Sequence, residues 1–425
     1  MERKITEFLT KWKNDKLKKP LLIYGPKGVG KTYSVLDFGK KYYKNTIYFN
    51  TDGNKEIINL FKKDKLPDRI IMNLGIMSGE TILENDTLIV LDNVNSNEIV
   101  KSVKLFSDKY ASYNIIMLTS RRENLSTFKG EELQFKSMSS MDFEEFLWAK
   151  EEKNLAGLIR ESFKKKRSCP FHAVALDLFT EYLIVGGMPE VVDAYIKGAS
   201  DNYLDSIKVK IIDTYKREFL TNKNLIDIER CEKVFDSIPY QLAKDNKKFQ
   251  YGILGEGRRA KEFTSSIDFL VQNQMVYRSY KITEAKSPLS SCRDKESFKL
   301  YLNDVGLLVS MMHLTRKEII TNDKVRETLY ENFIAKTLAE LNCPIYYYQS
   351  EGKAELSFVV QNRMGKIIPI ELATIKNSKS KSLSVFMKKF LCLEAYRITE
   401  NNFSTKKEVR YLPAYAVFCL DEVLN

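Results

Sequence analysis

Residues 25 to 32 read GPKGVGKT, and glycines at this spacing ahead of a lysine and a hydroxyl suit the chain to holding phosphate. Gly25, Gly28 and Gly30 carry no Cβ, so backbone N–H groups can close on phosphate oxygens, and the start of a helix adds partial positive charge. Lys31 is placed to reach the β and γ phosphates, and Thr32 to offer its hydroxyl to Mg2+. Pro26, Lys27 and Val29 complete the loop. The cofactors this pattern implies are ATP and Mg2+.

Such a site needs a second group beside the metal. In DTLIVLDN an apolar strand ends at Asp92, as a magnesium-coordinating carboxylate should. The next residue is Asn93, whose amide can hold a water but cannot accept its proton. Loss of a well-placed general base slows a reaction by about 10²- to 10⁴-fold, so the expected chemistry is nucleotide binding with slow hydrolysis. In YNIIMLTS a further strand delivers Thr119 and Ser120, which would lie near the γ-phosphate if that strand neighbours the one ending in Asp92. An ordinary strand-to-loop transition reads the same way. Lys31, Asp92, Asn93 and Ser120 form the candidate catalytic set. Arg121 and Arg122 follow, one of them as a phosphate contact or a group acting across a subunit interface, or both as a solvated pair. Glu144 and Glu145 offer an alternative base, although an acidic first helical turn is the simpler account.

The surrounding pattern supplies the elements to position these groups. LLIY reads as the strand before the loop and YSVLDFGKKY as the helix after it, while NTIYFN, DTLIVLD and YNIIMLTS alternate with helix-length spacers. That is the pattern of a mostly parallel sheet with helices on both faces, over residues 1 to 140. Residues 2 to 19 open it with an amphipathic helix carrying Ile5, Phe8, Leu9 and Trp12 on one side. Residues 141 to 223 are helical, with Gly186 and Gly187 as a helix stop and Pro189 opening the next helix. Residues 224 to 318 end a helix cluster in two strand-like runs, QMVYRSYKI and ESFKLYLNDVGLLVSMM, the pattern of a small winged-helix domain. Residues 319 to 425 form a separate α/β unit. It comprises the helix ETLYENFIAKTLAEL, the strands PIYYYQ, AELSFVVQN and GKIIPIELAT, the helix SKSLSVFMKKF and a last strand, LPAYAVFCL.

Composition narrows the function classes. With 425 residues, 44% apolar, the chain has material for two to three folded domains. Two histidines exclude a histidine-based metal cluster, and six scattered cysteines fit reduced thiols. No apolar run reaches the roughly 18 to 20 residues needed to cross a bilayer, which makes the cytoplasm the default location. The net charge of +12 admits a DNA partner. Lys244, Lys247, Lys248, Arg258 and Arg259 are the candidate phosphate contacts, against the plainer reading of solvated faces. The sequence sets neither an oligomer size nor a protein partner.

LLIYGPKGVGKT, TLIVLDNV, IIMLTSR, SMSSMDFEEFL, YLIVGGMPEVV, IPYQLAKDNKKFQYGIL, YLNDVGLL, YENFIAKTL and GKIIPIELATIKNSKSKSL span almost the whole chain. Together they resemble the prokaryotic AAA+-type P-loop ATPases that carry a C-terminal DUF4143 region. The resemblance implies an AAA+-like α/β core, a helical lid in which Gly186, Gly187 and Pro189 shape the ATP pocket, and a last domain of the restriction-endonuclease-like fold. In that family the Walker B segment usually ends in Asp-Glu and the sensor strand in Thr-Gly-Ser, where this sequence has Asp92-Asn93 and Leu118-Thr119-Ser120. The nuclease fold's acidic positions map onto Glu331, Glu355 and Glu371, while its Asp and Lys have become Ser357 and Ala373. Lys376 has the wrong strand parity to replace the lysine. A catalytically silent nuclease remnant is expected, beside an ATP-responsive core whose rearrangement would serve protein or DNA partners.

Overall fold

A computed structural model describes residues 1–120, 132–221, 227–350, 355–373 and 381–424. The chain divides into two compact units, residues 2–140 and residues 141–425.

The first unit is built on five parallel strands: β1 (Leu21–Tyr24), β2 (Asn45–Asn50), β3 (Thr87–Asp92), β4 (Asn114–Thr119) and β5 (Gln134–Ser137). Their order across the sheet is β2-β3-β4-β1-β5. Every residue of β3 and β4 is buried, as expected where helices cover both faces. Ile89 and Leu91 point into a core with Ile57, Phe61, Ile70, Leu74, Ile99 and Val103. On the other face Leu88 lies against Gly39 of the helix Lys31–Tyr42, where an added Cβ would come within 3.1 Å of it. The opening helix is Lys4–Asn14 and buries Ile5, Leu9 and Trp12. Because β4 sits between β1 and β3, three strand ends carry the phosphate loop, Thr119 and Asp92 side by side. The carboxyl ends of a parallel sheet are where such folds place ligands.

The second unit is a set of helices and a mixed eight-stranded sheet. Its strands are β6 (Val276–Ile282), β7 (Arg293–Leu302), β8 (Tyr346–Gln349), β9 (Glu355–Gln361), β10 (Ile367–Leu372), β11 (Ala395–Thr399), β12 (Ser404–Lys406) and β13 (Val409–Pro413). They run in the order β12-β13-β11-β10-β9-β8-β6-β7. The hairpin β6–β7, expected as the wing of a winged helix, pairs in parallel through β6 with β8. Ile282 shares a core with Tyr346, Tyr348, Leu356 and Phe386, so the boundary expected between residues 318 and 319 crosses one sheet and one core.

Two local expectations differ from the structure for identifiable reasons. NDVGLLVSMM contains a helix, Val305–Met311, because Asp304 caps it by accepting from the backbone N–H groups of Gly306 and Leu307. LPAYAVFCL is a strand only as far as Pro413; Ala414–Leu420 is a fully buried 3₁₀ turn. A short continuous apolar run carries no periodicity to separate the two.

The helix Asp323–Glu340 buries its apolar residues Leu329, Phe333 and Leu338, but burial runs without a break from Thr328 to Leu338. Its polar face is therefore enclosed too, and each polar group there needs a partner. Asn332 bonds both backbone groups of Leu302. Lys336 donates to the Met141 carbonyl and pairs with Glu340. Glu331 is satisfied by charged groups described below. Among the described residues no helix is long and apolar enough to cross a membrane.

Candidate nucleotide site

The loop after β1 is fixed at both ends before any ligand is considered. Gly25 N–H donates to the Thr119 carbonyl, and a Cβ at Gly25 would come within 1.9 Å of the Met138 carbonyl oxygen, so only glycine fits between β4 and β5 here. Gly28 and Gly30 have φ of 83° and 89°, the left-handed region that glycine enters without strain. Val29 is buried, and its carbonyl accepts from the buried Arg3 guanidinium at 2.9 Å, which also donates to Ser139. Arg3 thus braces the loop from the opening helix, a role no spacing in the sequence announces. Lys31 is buried, its ammonium held over the loop by the carbonyls of Gly25 and Pro26 at 2.8 and 2.9 Å. Lys27 is half-buried on the loop.

Thr32, at the start of the next helix, donates its hydroxyl to Asp92 Oδ2 at 2.7 Å. The same oxygen accepts from the Tyr48 phenol at 3.0 Å, and Oδ1 accepts from Asn93 N–H at 2.7 Å. Burial, with the Asp92 charge beside it, pushes the Tyr48 hydroxyl up to about 12, so it remains a donor at neutral pH. A hydroxyl and a carboxylate at this distance are hard oxygen ligands of the kind Mg2+ takes, and with the Lys31 ammonium and the left-handed glycines they fit a magnesium-bound polyphosphate. Asn93 has φ of 56°, a conformation asparagine tolerates better than most side chains. Its side-chain amide donates to Asn50 Oδ1 at 3.1 Å and its backbone carbonyl accepts from the Thr51 hydroxyl. Asparagine at this position therefore has a backbone reason as well as a chemical consequence.

Residues 17–147 match the family model described as AAA domain. These residues are an AAA domain. A second match, residues 326–416, is to the Domain of unknown function DUF4143, and a third, residues 176–318, to the Domain of unknown function DUF8612. The chain thus joins an AAA domain to a DUF4143 region. No curated protein matches the chain. Among solved structures it is similar to the Orc1 protein of Aeropyrum pernix in complex with DNA, at 12% identity and a TM-score of 0.29, covering 73% of this chain and 91% of that one.

Within the AAA domain, Thr119 is buried and Ser120 half-buried at the end of β4, beside the strand that carries Asp92. Arg121 and Arg122 lie outside the described residues. The two glutamates weighed as an alternative base are committed elsewhere. Glu145 closes a capping box with Asp142, and Glu144 is gripped by the Arg160 guanidinium, which also holds Asp421. Gly186 and Gly187 have a packing role in the second unit. A Cβ on the first would come within 2.4 Å of Asp304 Oδ1, and on the second within 2.0 Å of the Met141 carbonyl oxygen.

The three carboxylates expected as a nuclease remnant do not converge on one point. Glu331 receives Lys247 Nζ at 2.5 Å, Tyr301 hydroxyl at 2.7 Å and Lys299 Nζ at 3.3 Å; Lys299 also reaches Glu355 at 3.1 Å. Burial opposes ionisation of Glu331, but the Lys247 and Lys299 charges and the hydrogen bonds outweigh it and hold the carboxyl well below its ordinary range. Glu371 pairs instead with Arg397 at 3.1 Å. Among the described residues no three acidic, histidine or cysteine side chains are grouped as a metal site would require. The donor set is thus unsuited to Mg2+, because ammonium and guanidinium groups already neutralise the carboxylates. Ser357 and Ala373, at the altered positions, add no charge; Lys376 lies outside the described residues.

This cluster also corrects the nucleic-acid candidates. Lys247 is buried against Glu331 and is not presented to a phosphate backbone. Lys244 lies 4.6 Å from the centroid of the exposed Tyr240 ring, and Lys248 is half-buried. Arg258 and Arg259 are exposed just before the helix Ala260–Gln272, with Arg258 paired to Glu262.

Proposed function

We propose that the AAA domain binds ATP with Mg2+, hydrolyses it slowly, and uses nucleotide occupancy to bias the arrangement of the remaining regions. The reading rests on the 2.7 Å contact of Thr32 with Asp92, beside a buried Lys31, at the carboxyl edge of a parallel sheet. When bound, the magnesium ion would supply charge neutralisation and orientation of the phosphates. Lys27, Gly28, Val29 and Gly30 would offer backbone N–H groups, Gly25 and Pro26 would shape the turn with the Gly25 N–H held by Thr119, and Lys31 would neutralise the terminal phosphates. Asn93 would hold a water without taking its proton, leaving hydrolysis slow unless a partner supplies a base. Amide hydrogen exchange with and without Mg-ATP tests the switching step. Protection beyond residues 2–140 is the expected result; protection confined to the phosphate loop would reject switching while leaving binding intact.

A second reading is nucleic-acid binding by the middle region. It is favoured by the exposed Tyr240 ring beside Lys244, since an aromatic face with a neighbouring cation can stack and neutralise a nucleotide.

A further inference from the structure

We propose that Tyr48 is a positioning residue of the nucleotide site, coupling the affinity for ATP to Mg2+ through the Asp92 carboxylate. The inference rests on the nucleotide reading above and deepens it.

Tyr48 lies on β2 opposite Val90, two residues before the pair Asn50 and Asp92. A diagonal neighbour across two strands is beyond the reach of most side chains but within that of an aromatic one. The phenol uses that length to place its hydroxyl 3.0 Å from Asp92 Oδ2. An ionised carboxylate has about four lone-pair directions. Here Thr32 and Tyr48 share one oxygen and the Asn93 N–H takes the other. Asn93 N–H is a sequence-adjacent backbone group, and Thr32 is itself a candidate magnesium ligand. Among the described residues, Tyr48 is thus the side-chain donor to this carboxylate that comes from outside the loop, its helix and the Asp92 turn. It fixes which way Oδ2 faces. Groups that hydrogen-bond a metal-facing carboxylate typically change metal affinity by about 10- to 100-fold when removed.

Tyr48→Phe keeps the ring and removes only the hydroxyl. Nucleotide affinity should be measured for wild type and variant in saturating Mg2+ and in excess EDTA, with a thermal melt to show that both fold alike. The expected result is a loss of about 10-fold in Mg2+ for the variant and no change in EDTA. Direct Mn2+ titration of the nucleotide-loaded proteins should show the same weakening. An equal loss in both media would mean that Tyr48 touches the nucleotide or merely supports the sheet, and no loss in either would remove its role; both overturn the inference. Failure of the wild type to bind nucleotide at all would overturn the underlying reading instead, and this inference with it.

Discussion

The Lys247 ammonium lies 2.5 Å from the Glu331 carboxylate with both side chains buried, so a lysine from the middle region neutralises an acid on the helix Asp323–Glu340. With Lys299 and Tyr301 completing the cage, both carboxylate oxygens accept from side-chain donors, two of them cationic, where a nuclease would need them on a metal. Glu331→Gln would leave two buried ammonium groups short of their counter-charge. Breaking such a pair from one side costs roughly 3–5 kcal/mol. Thermal denaturation should show that loss at neutral pH.

The same cage sets an acid dependence. Glu331 stays ionised in the folded protein to lower pH than its ordinary value of 4.5, so its contribution is complete above about pH 4.5 and falls away as the medium becomes more acidic. Melting temperature followed from pH 6 downward should drop more steeply for the wild type than for Glu331→Gln. Parallel curves would show that the carboxylate is not held as described.

Fluorescence anisotropy with labelled single-stranded and duplex DNA separates the second reading from the first. If the middle region binds nucleic acid, Arg258→Ala with Arg259→Ala should weaken binding uniformly across sequences and lower its salt dependence. Salt-independent binding, or none at low salt, would dismiss the DNA reading. Lys247 is left out of such a test, since its removal takes one of two buried counter-charges from Glu331.

Asn93→Glu should raise the rate of phosphate release from ATP, because a carboxylate can take the proton that an amide cannot. The gain expected from restoring a general base is up to about 10²- to 10⁴-fold. Glutamate is less at ease than asparagine at φ of 56°, so the variant should also melt lower. Unchanged turnover in a variant that still binds nucleotide would show that position 93 does not face the attacking water.

The legible parts of this molecule are those set by local spacing. The phosphate loop, the strand ending in Asp92 and the helix after Gly30 follow from residues a few positions apart, and the structure places them as the sequence expects. Tyr48 and Arg3 escaped because their partners are set by strand register and by a helix folding back across the loop. Lys247 does not stand out in the sequence because the half-buried Lys244 and Lys248 carry the same charge in the same run, and depth leaves no mark on a charged run. The hairpin β6–β7 read as a wing because hairpins look alike until their free edge is paired. The Glu331 cage follows from a helix buried on every side, which its mixture of apolar and polar residues does not announce.

Isothermal titration calorimetry with Mg-ATP, on the wild type and on Lys31→Ala, tests the central claim most directly. The account predicts saturable binding near one nucleotide per chain in the wild type, weakened at least about 10-fold when the lysine charge is removed from the phosphates. No heat of binding in a folded wild type, or binding unaffected by Lys31→Ala, would contradict it.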